Sequence, residues 1–157
     1  MKGFTIFLSV ILIAMIGFCA FFYVGGTLDV QMGSISANAA EYPDAFNSIR
    51  NVIASGSAPQ VFSGDPLDDP KNYTLLDINL TLTNRGIFDA EWVHAEVSGA
   101  TGDVAVYSLS GEGMDIAARS SGQMNLKLIT RAPVSVSRTI TLQYYVYGMS
   151  RSISFEI

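Results

Sequence analysis

The pattern of hydrophobic and polar residues divides this chain into three parts. In the first part no charged residue occurs between Gly3 and Leu28, and the segment Phe4–Val24 is apolar almost throughout. This segment has about 21 residues, which at a rise of ~1.5 Å each form a helix that matches the ~30 Å hydrocarbon layer of a bilayer. We therefore predict a transmembrane helix within residues 1–28.

Residues 29–72 carry a weaker pattern and are predicted to connect this helix to a second folded unit. Residues 29–41 are mostly small or polar and show no clear period. Pro43 and the apolar residues that follow it at helical spacing predict a short helix near residues 44–54. Prolines and glycines punctuate the segment 55–73, which is typical of a loop.

From Tyr73 onward apolar and polar residues alternate, which is the period of half-buried strands. Six or seven such segments follow one another, separated by polar or glycine-containing turns. The fold class predicted for residues 73–157 is mainly β, an antiparallel β-sandwich of immunoglobulin-like type preceded by one N-terminal transmembrane α-helix, with a small barrel as the alternative. The last two segments are predicted to form a hairpin around residues 148–150.

The charges that flank the apolar segment predict its orientation. Lys2 precedes the segment, and Asp29 is the first charge after it. By the positive-inside rule the N-terminus lies in the cytoplasm and the C-terminal domain is extracytoplasmic, with Phe21, Phe22 and Tyr23 as an aromatic collar at the outer interface. The apolar run is longer than the ~7–15 residues of a signal-peptide core. We therefore favour an uncleaved signal-anchor in the cell membrane over a cleaved signal peptide.

Composition narrows the class of function. Only 15% of the residues are charged, the net charge is -5 and basic residues do not cluster, so we expect no nucleic-acid partner. The single cysteine, Cys19, excludes an intrachain disulfide. His94 is the only histidine, and the acidic residues Asp65, Asp68 and Asp69 lack the spacing of an EF-hand loop. We therefore expect neither catalysis nor a cofactor nor a metal ion.

The N-terminal residues Lys2-Gly3-Phe4-Thr5, followed by an unbroken apolar stretch, resemble the leader of type IV prepilins. In that family a peptidase cuts after the glycine, and the exposed phenylalanine begins a helix that packs into a filament core. The resemblance implies cleavage between Gly3 and Phe4. Leu8 occupies the position where the family usually carries a glutamate, although archaeal filament proteins often lack that residue and carry β-sandwich heads. A pilin-like or archaeal filament subunit is therefore an alternative function.

The stretch from Leu76 to Ile129 resembles the LEA14/WHy (water-stress) domain, which is itself a β-sandwich. The resemblance rests on the strand that ends at Asn84, on the segment 87–99 and on the polar turn that precedes a strand within 116–128. Arg85 stands where that family commonly has a proline. The resemblance implies a binding or structural module without catalytic activity.

A few residues are candidates for interaction or modification. Three aromatic residues occupy outward-facing positions of their predicted strands: Trp92, Tyr145 and Tyr147. If those strands are neighbours, the three form an aromatic patch that binds a partner; the alternative is that they face a second layer of the protein. Asn72 and Asn79 each begin an N-glycosylation sequon. The partners expected are the membrane and proteins of an envelope or filament assembly.

Overall fold

A computed structural model describes residues 2–24, 26–111 and 113–157 of the chain. Its first element is α1, which spans Lys2–Val24, and every side chain between residues 3 and 21 is exposed. The side chains of Phe22 and Tyr23, two members of the predicted aromatic collar, lie outside the described residues. Helix α1 is long and apolar enough to cross a membrane, as the sequence predicts.

The part of the chain after α1 is built mainly from strands. These are β1 (Leu28–Asn38), β2 (Gln60–Val61), β3 (Thr74–Asn84), β4 (Ala90–Ser98), β5 (Asp103–Leu109), β6 (Met114–Ile116), β7 (Ser121–Thr130), β8 (Thr139–Val146) and β9 (Met149–Glu156). A second helix, α2, spans Pro43–Ala54, and single 3-10 turns lie at Ala39–Glu41 and Pro70–Asn72.

The strands form two antiparallel sheets. The five-stranded sheet has the order β1-β3-β7-β5-β2, and the four-stranded sheet has the order β6-β4-β8-β9. Within them, β1-β3-β7-β5 and β4-β8-β9 follow the A-B-E-D and C-F-G neighbour orders of a constant-type immunoglobulin domain. The prediction of a mainly β, immunoglobulin-like sandwich behind one apolar helix is confirmed. The described strands pair only within their own sheet and do not close into one continuous sheet, so the barrel alternative is wrong.

The main hydrophobic core lies between the sheets and follows the predicted alternation. In β3 the residues at every second position are buried, and the same holds for the facing positions of β4, β7 and β8. Residues buried almost completely in these strands include Ile78, Leu80, Leu82, Val93, Leu126, Leu128, Ile140 and Leu142. Because no disulfide is possible, this burial supplies most of the stabilisation of the domain.

A second hydrophobic cluster lies on the outer face of the five-stranded sheet. Phe46 and Ile49 of α2 pack there against Tyr73, Ala105 and Ile129. The ring centroids of Phe46 and Tyr73 are 5.5 Å apart. The apolar face of α2 is therefore buried against the sheet, which is the packing function that its helical periodicity indicates.

The prediction that residues 29–72 only connect two units is wrong at its start, because β1 belongs to the sandwich. All 11 residues of β1 pair with β3, from Leu28 opposite Asn84 to Asn38 opposite Thr74. The strand lies at the edge of the sheet, and its inward positions beyond Met32 are Ser34, Ser36 and Asn38, which are polar and remain exposed. An edge strand of this kind lacks the apolar alternation by which half-buried strands are recognised.

The terminal hairpin turns one residue earlier than predicted. Val146 pairs directly with Met149, so Tyr147 and Gly148 form a two-residue loop and Tyr147 does not belong to the strand. Their φ angles are 51° and 71°, as a type I′ turn requires. Tyrosine is an unusual residue for the first loop position, where asparagine, aspartate or glycine is normally found, and this explains why the sequence pattern assigned it to the strand.

Candidate functional site

The sandwich begins directly after α1, and one buried tyrosine fixes this connection. The Tyr144 hydroxyl donates a hydrogen bond to the Gly26 carbonyl at 3.1 Å and accepts one from the Leu28 backbone nitrogen at 3.3 Å. Burial raises the pKa of Tyr144, while the hydrogen bond from Leu28 and the charge of Arg151 oppose this effect. The phenol therefore stays protonated at neutral pH and remains a donor to Gly26.

Strand pairing defines which loops surround this connection. Leu28 lies opposite Asn84 at the end of β3, and Val146 at the end of β8 pairs with Ala90 at the start of β4. We call this end of the sandwich the junction end and the opposite end the distal end. The junction end comprises residues 26–28, the loops 85–89 and 117–120, and the turn 147–148.

Asn84 is buried at the junction end and organises the loops there. Its side-chain amide donates hydrogen bonds to the carbonyls of Phe88 at 2.8 Å and Ile116 at 3.0 Å. Its side-chain oxygen accepts a hydrogen bond from Gly86 at 2.9 Å, and its backbone nitrogen donates to Ser120 at 2.9 Å. The asparagine on which the LEA14/WHy resemblance partly rests therefore has a structural role in this chain.

Trp92, two residues from the junction end of β4, is exposed because the strand contains a bulge there. The pairing of β4 with β8 shifts register between Glu91 and His94, and Trp92 takes a positive φ of 55° there. Its backbone nitrogen donates to the Asp115 carboxylate at 2.8 Å, and its ring lies beside Gly113. The indole is 68% exposed. The bulge, rather than simple strand parity, determines the direction of this side chain.

The two predicted tyrosines are also exposed at this end. Tyr145 lies on β8 opposite Glu91, and Tyr147 projects from the hairpin turn with its ring centroid 5.1 Å from that of Phe88. Their exposed fractions are 44% and 69%. The structure thus places Trp92 and both tyrosines at the junction end of the four-stranded sheet, and their role in binding a protein partner stays a prediction.

The distal end is held by a buried ion pair. The guanidinium of Arg138 donates hydrogen bonds to both carboxylate oxygens of Asp103, the shortest at 2.7 Å, and both side chains are almost fully buried. Arg138 also donates to the Val136 carbonyl at 2.7 Å and to the Thr130 hydroxyl at 3.2 Å, while Ala100 donates to Asp103 at 2.7 Å. These contacts satisfy the charges internally, which is typical of a structural pair.

The acidic loop near residue 65 is engaged by Arg131 and Tyr73. Arg131 donates to the Tyr73 hydroxyl at 2.6 Å and lies 3.7 Å from the Asp65 carboxylate. A hydrogen bond with Tyr73 lowers the pKa of Asp68, and the charge of Arg131 adds to this effect. Asp69 caps the 3-10 turn that follows it. Among the described residues no group of three or more metal-ligating side chains comes together.

A cleft of about 380 Å³ lies between the end of α2 and the loop over residues 61–67. Its polar groups include Arg50 and Asp65, of which Arg50 donates to the Asp68 carbonyl at 3.1 Å. His94 lies elsewhere, on β4, with Nδ1 at 3.1 Å from the Trp92 carbonyl. The commonest general base in enzymes is histidine, and the single histidine of this chain does not lie in the cleft.

The residues proposed for modification occupy different environments. Asn72 is exposed in the 3-10 turn before β3. Asn79 is also exposed, but it lies inside β3, where its side-chain oxygen accepts a hydrogen bond from Asn125 at 2.7 Å and its amide is 3.4 Å from Asp77. Gly3 and Phe4 lie in the first turn of α1, and Phe4 is 70% exposed.

Sequence reasoning missed two of the residues that build these ends. By its parity in β8, Tyr144 is one of the inward apolar positions, but a buried tyrosine hydroxyl normally requires a hydrogen-bond partner and in this way signals a contact. Arg138 lies in the segment between β7 and β8, where nothing in the local sequence identifies a buried residue.

No protein-family model and no curated protein matches the chain. Similar solved structures include the GAE domain of yeast GGA1, at 16% identity over 53% of this chain and 77% of that one, with a TM-score of 0.42. Another is the structural-genomics target SoR45, at 15% identity over 83% of this chain and 85% of that one, with a TM-score of 0.44. A third is the putative ApaA protein from Bordetella pertussis, at 11% identity over 84% and 93% of the two chains, with a TM-score of 0.42.

Proposed function

We propose that this chain is a single-pass protein of the cell membrane, in which α1 is an uncleaved signal-anchor and the sandwich is an extracytoplasmic binding or structural module. The observation that carries the proposal is the exposure of α1. The apolar span Gly3–Phe21 has 0% of its length buried against the protein. A bilayer covers such a surface, and a helix satisfies its own backbone hydrogen bonds there.

The size of this exposed surface supports insertion into lipid. Twelve large apolar side chains of α1 are exposed, from 41% for Ile11 to 70% for Phe4. Transfer of each from water into an apolar phase contributes roughly 1.5–3 kcal/mol, so the helix as a whole gains on the order of 20 kcal/mol. An amphipathic helix of a water-soluble domain buries one face, as α2 does, whereas α1 is apolar on all faces.

The orientation follows from charge. Lys2 precedes the span, and the sandwich that follows it has the acidic residue Asp29 near its start. A positive charge on the short N-terminal side favours retention of that side in the cytoplasm. We propose accordingly that the junction end faces the outer surface of the membrane.

The module is proposed to act by binding rather than by catalysis. The buried charged pair at the distal end is satisfied by its own hydrogen bonds, and the acidic loop is engaged by Arg131 and Tyr73. We propose protein partners in an envelope assembly. Purification of the chain from native membranes after chemical crosslinking, followed by mass spectrometry, tests this; recovery of the uncrosslinked chain alone at every crosslinker concentration contradicts it.

Membrane integration is tested by alkaline extraction of cell membranes. The native chain is expected to remain in the pellet. The variant Ile11→Arg/Leu12→Arg/Met15→Arg/Ile16→Arg is expected to appear in the soluble fraction, because four central arginines oppose insertion by ~10–14 kcal/mol and the four lost apolar side chains remove a further ~6–12 kcal/mol, which together offset the gain from lipid. A matched control with Ile11→Leu, Leu12→Ile, Met15→Leu and Ile16→Leu is expected to stay in the pellet. Release of the native chain by alkali, or of a shortened soluble chain, contradicts the anchor.

Orientation is tested by labelling with a membrane-impermeant maleimide. In a Cys19→Ser background, a cysteine introduced in place of Val134 at the distal end is expected to react in intact cells. A cysteine inserted between Met1 and Lys2, which keeps the positive charge, is expected to react only after permeabilisation. The reverse pattern contradicts the proposed topology.

A filament subunit is the second candidate, because α1 is apolar on every face, as a helix in a filament core must be. In this case a peptidase removes the residues up to Gly3, and the mature chain begins at Phe4. Intact-mass measurement of the native protein distinguishes the two: a chain that retains Met1 or Lys2 excludes processing, and a chain that begins at Phe4 supports the filament.

A further inference from the structure

We propose that the junction end of the sandwich rests on the outer leaflet of the bilayer, with Tyr147 and Ile87 in the headgroup layer and Trp92 at the outer border of that layer. This inference depends on the proposed function, since it requires that α1 spans the membrane. It identifies the lipid surface, rather than a protein, as the partner of the exposed aromatic side chains at this end.

The short connection to α1 limits how far this end can lie from the membrane. One residue separates Val24, the last residue of α1, from Gly26, whose carbonyl is bonded to Tyr144 within the sandwich. A residue spans at most ~3.6 Å, so the anchored Gly26 lies within about 10 Å of the helix end. The headgroup region on each side of the hydrocarbon is ~5–8 Å thick. The junction end is therefore held at that layer.

The side chains exposed at this end are of the types found at membrane interfaces. Trp92 and Tyr147 are 68% and 69% exposed, and Ile87 in the adjoining loop is 45% exposed. Arg119 lies in the neighbouring turn and is also exposed. Tryptophan and tyrosine rings favour the headgroup level, where one part of the ring is apolar and another is wet, and arginine binds lipid phosphate.

Backbone geometry supports a function for these residues. Among the described residues, the non-glycine residues with positive φ are Trp92, Arg119 and Tyr147, at 55°, 59° and 51°. All three lie at or near the junction end. Bulky residues rarely adopt this conformation, and retained outliers of this kind cluster at functional sites. All three of these side chains are exposed to solvent, and contact with lipid would bury part of their surface.

Packing and hydrogen bonds within the sandwich hold the exposed residues of the junction end in place. Tyr147 packs on Phe88, and the Phe88 carbonyl is bonded to the buried Asn84. Trp92 lies two residues from the start of β4, which places its backbone about 7 Å above the strand end. Its ring lies beside Gly113, slightly farther from the strand end, so Trp92 lies at the outer border of the headgroup layer when the hairpin turn lies within that layer.

Trp92 is the only tryptophan of the chain, so its fluorescence reports directly on this surface. The full-length protein is reconstituted into phosphatidylcholine vesicles that carry a spin label either at the headgroup or deep in the acyl chain. We expect stronger quenching by the headgroup label. The control Trp92→Phe/Val134→Trp moves the fluorophore to the distal end, about one strand length away, and is expected to show little quenching by either label.

A second variant tests the contribution of the hairpin without disturbing the turn. Tyr147→Asn keeps a residue suited to positive φ and is expected to reduce quenching of Trp92 by the headgroup label roughly twofold, because an interfacial aromatic is lost. Equal quenching of the native protein and the distal control, in vesicles where flotation shows full integration, overturns the inference and leaves the anchor standing. Failure to float with the vesicles refutes the anchor itself. A blue shift of Trp92 that depends on protein concentration in lipid-free micelles assigns the surface to a second copy and also overturns the inference.

Discussion

The buried pair formed by Asp103 and Arg138 gives a quantitative prediction about the stability of the sandwich. Asp103→Asn nearly preserves the shape of the side chain but removes its charge, and it leaves the guanidinium of Arg138 buried at 1% exposure. Asparagine retains one acceptor oxygen, so at least one of the two oxygens that contact the guanidinium is replaced by an amide that cannot accept a hydrogen bond.

The expected loss follows from these contacts. A hydrogen bond to a charged group contributes ~1.5–3 kcal/mol, and removal of one partner of a buried ion pair destabilises proteins by ~3–5 kcal/mol. We expect Asp103→Asn to lower the free energy of unfolding by about 4 kcal/mol. With a urea m-value near 2 kcal/mol/M, the unfolding midpoint falls by about 2 M.

The assay is urea unfolding of the full chain in mild detergent, followed by the circular dichroism of the β-sheets. Asp77→Asn is the matched control, because Asp77 forms a similar pair with Lys127 at 2.9 Å but both side chains are more than a third exposed. An exposed pair contributes ~0–1 kcal/mol. Equal destabilisation by the two substitutions refutes the reasoning from burial.

A double variant separates the charge from the contact. Arg138→Met alone leaves the Asp103 carboxylate buried without its cation, whereas Asp103→Asn/Arg138→Met removes both charges. The double variant is expected to be more stable than the sum of the single effects predicts, since no uncompensated buried charge remains. Strict additivity shows that the two side chains do not interact.

The same pair predicts a dependence on pH. Burial raises the pKa of Asp103, but hydrogen bonds from Arg138 and the positive charge of Arg138 outweigh this effect and hold the pKa below its usual value. The unfolded state therefore binds the proton more readily, and the stabilisation is present above the unfolded pKa of ~3.9 and is lost as pH falls through the native pKa. Asp103→Asn is expected to remove this part of the acid sensitivity.

Four further predictions concern other residues. Asn84→Ala removes three side-chain hydrogen bonds and is expected to lower the free energy of unfolding by about 3 kcal/mol in the same urea assay. Burial, aided by the charge of Asp77, raises the pKa of Tyr107 to about 12. In this range the native state keeps a proton that the unfolded state releases, so the free energy of unfolding is expected to decline from pH ~10 to 12. Tyr107→Phe is expected to reduce this decline when urea unfolding is measured at several pH values. In a host that glycosylates, Asn72→Gln is expected to abolish a mobility shift and Asn79→Gln to leave it, because Asn79 is engaged inside a strand. Tyr147→Asn is expected to leave the unfolding midpoint nearly unchanged, because asparagine suits the type I′ turn better than tyrosine but loses the ring contact with Phe88.

The central strands could be predicted from the sequence because each buries one face. In β3, leucine or isoleucine occupies every second position and polar residues lie between them, and the buried positions agree with this pattern. The edge strand β1 could not be predicted in the same way. Its inward positions Ser34 and Ser36 remain exposed, so the apolar alternation stops after Met32.

The candidate surface was predicted only in part, because two of its three aromatic residues depend on backbone features without a clear sequence signal. The alternation of inward and outward positions along a strand correctly predicts that Tyr145 is exposed, because this residue lies in the regular part of β8. Trp92 is placed by a bulge and Tyr147 by a turn; Gly148 marks the second position of that turn, but neither a glycine nor an asparagine occupies position 92 or 147. The signal that a bulge or turn usually leaves in a sequence is absent where a bulky residue occupies it.

This absence is also the reason to regard the junction end as functional. A sandwich selected for stability alone would favour glycine or asparagine at positions with positive φ, because these residues adopt that conformation with little strain. Trp92 and Tyr147 depart from this choice at the end nearest α1, and both expose most of their surface. Selection for stability therefore does not account for them, whereas the proposed contact with the outer leaflet explains their residue type, their exposure and their position together.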